Sequence, residues 1–438
     1  MLLALPLTVL LSLVAVQEPA ATTARRLTLR EAMGLAFDRN LELARARAEL
    51  PAAEANRRLL RSAVLPRLSV DGNLVRNSAE VSFGPPDDVR TILPLLSWDI
   101  RVNVSQPIFA GLRDLKAYRQ SKIGIDVARE GIRGTSDQVL VDTSRQFLLA
   151  LEAEALIDVE MRNLELAQNR LRQATDLFEA GETTRVDVLR AEVDIKAAER
   201  RVVEAERSRA VAVSELRIAL ALDEEFLLAE PSGEDRAVPL VPTQEELITQ
   251  AYGARSEVRT AEYDLESARL EVEKQRGAYY PVVTADAGYV RQVTTFPRES
   301  YGFGAIRVSV PIYQGGEIGA RVAIAEEIQK QAAFALEEAR RLVREDVRLA
   351  LFDLEAVRTN LALAEQQLQA AEAEYAQTSE LYRNQELTSL DLQTSEAALA
   401  EARRAVATGR LLVYAAEVQV WFAAGTLSEV ALNQEPTP

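Results

Sequence analysis

The sequence contains no cysteine and no histidine. Disulfides, thiol nucleophiles, Cys/His zinc sites, imidazole bases and the Ser-His-Asp triad are excluded together. Aromatic residues are few, 5%, against 48% hydrophobic residues in 438. Much of that hydrophobic share is Ala and Leu, which suits helices better than a dense sandwich core. The length allows two or three domains and a sizeable core. Net charge is −16, which argues against nucleic acid and against a polybasic membrane anchor. Solvated helix faces would account for it, as would an acidic lumen or mouth that favours cations. The carboxylates are spread along helices, with no Gly-rich loop or metal spacing beside them. No catalytic residue, metal ligand or cofactor site is therefore assigned.

Long apolar runs are also scarce. One covers Leu2 to Val16, ahead of Gln17, Glu18 and Pro19. It is shorter than the 18 to 20 residues of a membrane helix and reads as a secretory signal over residues 1–17. No basic residue precedes it; the first is Arg25. Any membrane-spanning part elsewhere must be β.

What is present is a duplication. An offset of 215 carries Thr28 onto Thr243, Phe37 onto Tyr252, Pro66 onto Pro281 and Asp71 onto Asp286. An offset of 204 carries Val102 onto Ile306, Pro107 onto Pro311, Gly111 onto Gly315, Asp187 onto Asp391 and Glu192 onto Glu396. The difference of 11 falls between about residues 77 and 98, so the first copy holds the longer loop there. The two units are 27–229 and 243–424, joined by a Pro-rich acidic linker, 230–242, and followed by a tail, 425–438.

Each unit reads helix, strand, loop, strand and two long helices. The early helices run from Leu29 to about Arg61 and from Gln244 to about Arg276, with Thr28–Glu31 and Thr243–Glu246 as capping boxes. Strands are expected at about 66–77, 97–108, 281–292 and 301–312. In the first, Leu68, Val70, Gly72 and Leu74 alternate with Ser69, Asp71, Asn73 and Val75. A half-buried soluble strand would show the same period. Two features favour membrane strands: the length, and charges on one face, namely Asp71, Asp99, Arg101, Asp286 and Arg307. Those five are expected to line the lumen of a β-barrel. Trp98, Tyr289, Tyr301 and Phe303 lie near the loop ends, where an aromatic girdle would sit. Four strands cannot close a polar lumen, and an open edge cannot face lipid. The chain must therefore oligomerise: three copies give twelve strands, and four copies would also close.

No proline occurs between Pro107 and Pro231 or between Pro311 and Pro436. Each window holds two helices, at about 112–180 and 187–222, and at about 317–384 and 391–424. The first of each pair spans on the order of 100 Å at 1.5 Å per residue. Apolar residues recur at three and four spacing, as in Leu164, Ala167, Leu171, Ala174 and Phe178.

The segments Ser105-Gln106-Pro107-Ile108-Phe109-Ala110-Gly111 and Ser309-Val310-Pro311-Ile312-Tyr313-Gln314-Gly315-Gly316, with Phe178 to Leu189 and Tyr382 to Gln393, occur in duplicated order. In this the chain resembles the TolC family of outer-membrane efflux proteins over roughly residues 27–424. The resemblance implies a mainly α fold with a transmembrane β part. A homotrimeric, twelve-stranded β-barrel in outer-membrane lipid would continue as a twelve-helix α-barrel across the periplasm. The linker and chain ends would form an equatorial belt. It implies a passive exit duct for a tripartite efflux or type I secretion system, recruited by a periplasmic adaptor and an inner-membrane transporter. It places aperture residues at Asp187, Tyr382 and Asp391, and adaptor contacts at Gly181, Thr184, Gln385 and Thr388. The family's second acid is replaced by Thr394 and its arginine by Leu387. Helix-start aspartates and a left-handed cap at Gly181 are the plainer readings of the same positions. A soluble periplasmic coiled-coil adaptor is the competing function.

Overall fold

The computed structural model describes residues 25–85, 89–230, 243–293, 299–384 and 386–432. Expectations for residues 1–17, for nearly all of the linker, for Gln385 and for the end of the tail lie outside those residues.

The first copy contains β1 (Arg25–Leu27), α1 (Leu29–Arg39), α2 (Leu41–Ser62), β2 (Arg67–Arg76), β3 (Val81–Phe83), β4 (Arg90–Leu93), β5 (Leu96–Ala110), α3 (Arg113–Glu179), α4 (Arg185–Leu220) and β6 (Phe226–Leu228). The second contains α5 (Gln244–Ala254), α6 (Ser256–Arg276), β7 (Val282–Gln292), β8 (Ser300–Ser309), α7 (Glu317–Arg383), α8 (Ser389–Ala424) and α9 (Leu427–Leu432). The duplication is visible in the dimensions. Helices α3 and α7 have 67 residues each, and α4 and α8 have 36 each. The extra length of the first copy forms the β3–β4 hairpin.

Local chemistry sets the boundaries. Thr28 Oγ1 accepts from the Glu31 amide while the Glu31 carboxylate accepts from the Thr28 amide, the reciprocal cap that satisfies two end donors. Thr243 and Glu246 form the matching box. Each early helix, read as continuous from the sequence, is in fact two. The breaks fall at the repeat-matched residues Asn40 and Arg255, both in extended backbone. Asn40 Oδ1 accepts from the amides of Glu42 and Leu43 at 2.8 and 3.2 Å, so it acts as an N-cap that restarts the helix. Arg255 has no such cap; its buried guanidinium donates to Glu257, Asp346 and the Phe422 carbonyl.

Strands β2, β5, β7 and β8 form one antiparallel sheet in that order, with β2 and β8 at its edges. β5 passes through Pro107 and continues to Ala110, and a bulge between Pro107 and Phe109 absorbs the proline. Helices α2, α3, α6 and α7 continue the same lateral order below the sheet. Gly111, at φ +65°, makes the turn between them. A Cβ there would stand 1.9 Å from the Gly277 carbonyl oxygen, so the two backbones meet only because both residues are glycine.

Half-way down α3 and α7 the neighbours change to α4, α8 and the short helices. The principal cores sit here. One joins Leu27, Ala32, Ala36, Phe147, Leu148, Leu216 and Leu220; a second joins Leu247, Val258, Val347, Leu354 and Val420. A third fixes α9 through Trp421, Leu427 and Ala431 against Met33 and Leu140. This belt ties both repeats together, while the far ends of the helix pairs project beyond it.

Candidate functional site: strand faces and helical tip

In an antiparallel sheet, directly opposed residues share a face. Asp71 opposes Arg101, Asn73 opposes Asp99, Ser105 opposes Asp286, and Thr284 opposes Arg307. The five charged residues singled out from the sequence therefore lie on one face. Ser69 donates to Asp71 and Asn73 to Asp99 along it, and Arg307 reaches Asp286 at 4.0 Å. The opposite face carries Leu68, Val70, Leu74, Ile100, Val102, Val104, Ile306 and Val308. Among the described residues it is unpartnered: Leu68 is 70% exposed, Leu74 72% and Ile306 76%. The register divides the four expected girdle aromatics. Trp98 and Tyr289 stand on the apolar face, opposite Leu74 and Val102. Tyr301 and Phe303 oppose Val290 and Gly288 on the polar face, where the Phe303 ring covers Gly288. Those two do not belong to an outward girdle.

At the other end, α3 turns into α4 and α7 into α8. Gly181 takes φ +78° and closes α3, the left-handed position that glycine favours. Thr184 and Thr388 cap the returning helices, each boxed with the aspartate three residues on. Gly181, Thr184 and Thr388 are exposed. The matched aspartates differ in setting. Among the described residues Asp391, which is exposed, is bonded only to Thr388, whose hydroxyl and amide hold its carboxyl below the usual range. Asp187 lies between the two turns and accepts from Thr183, Thr184 and, across the repeat, Ser389, each at 2.8 Å. Burial opposes its charge, but these donors outweigh it and hold the carboxyl at about 2. Tyr382 is buried beside it. Burial, then the Asp187 charge, raises its phenol. Asp187 and Tyr382 thus share a site, and Asp391 stands apart from it.

Sequence reasoning missed the polar seam above this site. Arg170 of α3 is 7% exposed and pairs with Asp194 of α4 and with Glu396 of α8, the latter at 2.9 Å. Gln393 donates to Asp194 at 3.2 Å. Further up, Arg404 donates to the buried Glu160 at 2.7 Å, and Thr408 to Glu152 at 2.8 Å. A cavity of about 330 Å³ lies within, lined by Arg170, Asp194, Arg201, Gln393, Glu396 and Arg404. From Ser389 to Thr408, α8 meets the first repeat mainly through polar bonds, with Leu166 of α3 packed on the small cluster of Ala371, Leu399 and Ala402. From Leu411 onward it meets it through Leu411, Tyr414 and Ala415 on the apolar belt core. One signal was available: Glu160, Asn163 and Arg170 interrupt a buried stripe that includes Ala167 and Ala174.

The sequence matches the family model for outer membrane efflux proteins over residues 32–222 and 247–426. The chain belongs to the outer membrane efflux protein family. The two matched segments coincide with the two structural repeats. The chain is 23% identical to the outer membrane efflux protein BepC of Brucella suis over 357 residues, 79% of this chain and 74% of that protein. Its fold is similar to that of CusC, with a TM-score of 0.81 and 15% identity over 94% of this chain and 95% of that one. It is also similar to VceC of Vibrio cholerae, with a TM-score of 0.77 and 15% identity over 91% and 96%. The family is one of transport ducts and not of enzymes, and its members reside in the outer membrane and extend into the periplasm. Among the described residues no helix is long and apolar enough to cross a membrane.

Proposed function

We propose that three copies of this efflux-family protein close their sheets into one twelve-stranded barrel, with an α-barrel below it as a passive exit duct. The observation that carries this is the sheet itself: one polar face, one apolar face and two unpaired edges in a single chain. Edge-to-edge closure satisfies the backbone donors and acceptors of β2 and β8, which lipid cannot. The polar face, with Asp71, Asp99, Arg101, Asp286 and Arg307, then lines the lumen. The exposed tip residues Gly181, Thr184 and Thr388, with Gln385, meet a periplasmic adaptor that couples the duct to an inner-membrane pump.

Gating follows from how the two helix pairs are joined. The belt is apolar and costly to part, whereas the tip half of the α8 seam is polar. Separating polar partners exchanges their bonds for bonds to water, so each of these bonds to a charged group contributes about 1.5–3 kcal/mol net. Outward movement of α7 and α8 pivots at the belt and opens the mouth. A ring of Asp391 at that mouth concentrates negative potential and favours cations. Wild-type protein in planar bilayers is expected to conduct with a cation preference that Asp391→Ala reduces. Unchanged selectivity would remove the ring from the account. The adaptor reading is disfavoured by the family match, and carbonate washing separates the two: a duct stays in the membrane and a soluble adaptor leaves it.

A further inference from the structure

We propose that the seam between α2 and α3, just below the sheet, binds an anionic phospholipid, one per chain. The inference rests on the reading above that the sheet lies in a bilayer.

Two grooves follow one another along this seam. The upper one, about 480 Å³, includes the exposed apolar residues Val64, Ile108, Leu112 and Leu115, with Asp114 at its margin. Gln106 also lines it, and the register puts Gln106 on the apolar face of the sheet, opposite Ala285. The groove therefore continues that face at Gln106 and Phe109, while Pro107 and Ala110, opposite Thr284 and Val282, reach it from the other face. The lower groove, about 490 Å³, begins one turn further along both helices and is cationic. Arg57, Arg58, Arg61, Lys122 and Arg129 line it, against Glu54 and Asp126. Arg129 is paired with Asp126 at 3.0 Å. Arg57 donates to the Tyr118 hydroxyl at 3.1 Å and lies over its ring. The side chains of Arg58, Arg61 and Lys122 have no ion-pair or hydrogen-bond partner among the described residues.

A chain of net charge −16 keeps three unpaired cations together here, next to a greasy slot. One ligand chemistry matches both: a phosphate carried on acyl chains. The distances agree. The Lys122 backbone lies seven residues below Leu115, roughly 10 Å along the helix, and its long side chain tilts back toward the helix N-terminus, into a headgroup layer about 5–7 Å deep on each side of the hydrocarbon. Arg129, roughly 20 Å down, is beyond that reach and is the one already paired.

The duplication supplies an internal control. In the second repeat the positions of Arg57, Arg58, Tyr118 and Lys122 are held by Val272, Glu273, Val322 and Glu326. Arg276, the counterpart of Arg61, is consumed by Glu326 at 2.6 Å. Only Arg269, exposed at the position of Glu54, stands without a partner among the described residues there, so the cluster of three belongs to this seam and not to the fold.

The test uses the full chain in neutral detergent, titrated with dihexanoyl phosphatidylglycerol and dihexanoyl phosphatidylcholine and read by native mass spectrometry. Wild type is expected to prefer phosphatidylglycerol at least ~10-fold, given roughly fivefold per basic residue near an anionic surface. Arg58→Gln/Arg61→Gln/Lys122→Gln should abolish the preference, and Lys122→Gln alone should reduce it about fivefold. Arg269→Gln/Arg276→Gln/Lys330→Gln, an equal charge change on the other repeat, should leave it intact. Equal binding of the two lipids, or a preference that survives the first triple variant, overturns the proposal. Displacement of the lipid by inorganic phosphate at matched concentration also overturns it, since the acyl groove would then contribute nothing. Because the probe is soluble, the result is independent of carbonate extraction. Preference for phosphatidylglycerol in a protein that carbonate strips from membranes would uphold the groove and reject the membrane-spanning reading.

Discussion

Removing the Arg170 side chain is the sharpest perturbation of the proposed gate. In Arg170→Met the carboxylates of Asp194 and Glu396 lose their shared cation while remaining 27% and 14% exposed. Breaking a buried pair by deleting one partner costs about 3–5 kcal/mol. Water at Asp194 puts this case near the lower end, about 3 kcal/mol, or ~100-fold in an opening equilibrium. The loss should be local, because the belt cores contain none of these groups. Hydrogen exchange of the intact oligomer should therefore show ~100-fold faster exchange for α8 amides between Ser389 and Arg404. Those of Phe147 to Leu151 and of Leu216 to Leu220 should hold. Open probability in planar bilayers should rise together with tip exchange. Adding Asp194→Leu and Glu396→Met, which removes the stranded charges, should restore most of the protection. Unchanged exchange at the tip, or an equal loss at belt and tip, would refute the idea of a polar seam hinged on an apolar one.

Two further substitutions probe the scaffold. Asp137 is 5% exposed on α3, with Oδ1 lacking a hydrogen-bond partner. Burial raises its carboxyl to about 6, against hydrogen bonds from Ser428 and the charges of Arg133 and Arg255. A raised carboxyl binds its proton more readily in the folded state, so stability is gained as pH falls from about 6 toward 3.8 and is missing above 6. Asp137→Asn should thus raise the melting temperature at pH 7.5, by the equivalent of roughly 2–3 kcal/mol, and have little effect at pH 4; an equal effect at both would contradict the assignment. Gly111→Ala should lower thermal stability well beyond Gly315→Ala. Both glycines have positive φ, but a Cβ at 315 meets nothing within 4 Å, so only the left-handed backbone cost of about 1–2 kcal/mol applies there. Equal losses in calorimetry would mean that the Gly111–Gly277 contact is not tight.

The local signals in the sequence reached the elements that local chemistry decides. Alternation at Leu68 to Val75 gives a strand, and the Thr-x-x-Glu boxes mark where the early helices start. The repeat offsets locate the longer loop. What stayed hidden depends on pairing. The face on which Tyr301 and Phe303 stand follows from their register with β7, which their own spacing cannot supply. The break at Arg255 has no capping side chain, so nothing local announces it. The Arg170–Glu396 bond spans 226 residues and joins two helices from different repeats. Periodicity can mark Arg170 as a charge on a buried stripe but cannot name the helix that answers it. At the tip, matched sequence suggested matched aspartates, yet Ser389 reaches Asp187 and, among the described residues, no equivalent donor reaches Asp391.

The equal lengths of α3 and α7, and of α4 and α8, constrain how this protein can change. The turns of the two repeats come together at the tip, where Ser389 grips Asp187. Seven residues added to α3 alone would carry its turn roughly 10 Å past the other and shear every rung of the seam. Length can enter the helices only as a doubled event, in both copies and on both the outgoing and returning strokes. The β3–β4 hairpin, at the other extreme of the molecule, answers to no such accounting between copies. The reach of the helix pairs is therefore the molecule's most conservative dimension, and the β3–β4 loop its freest.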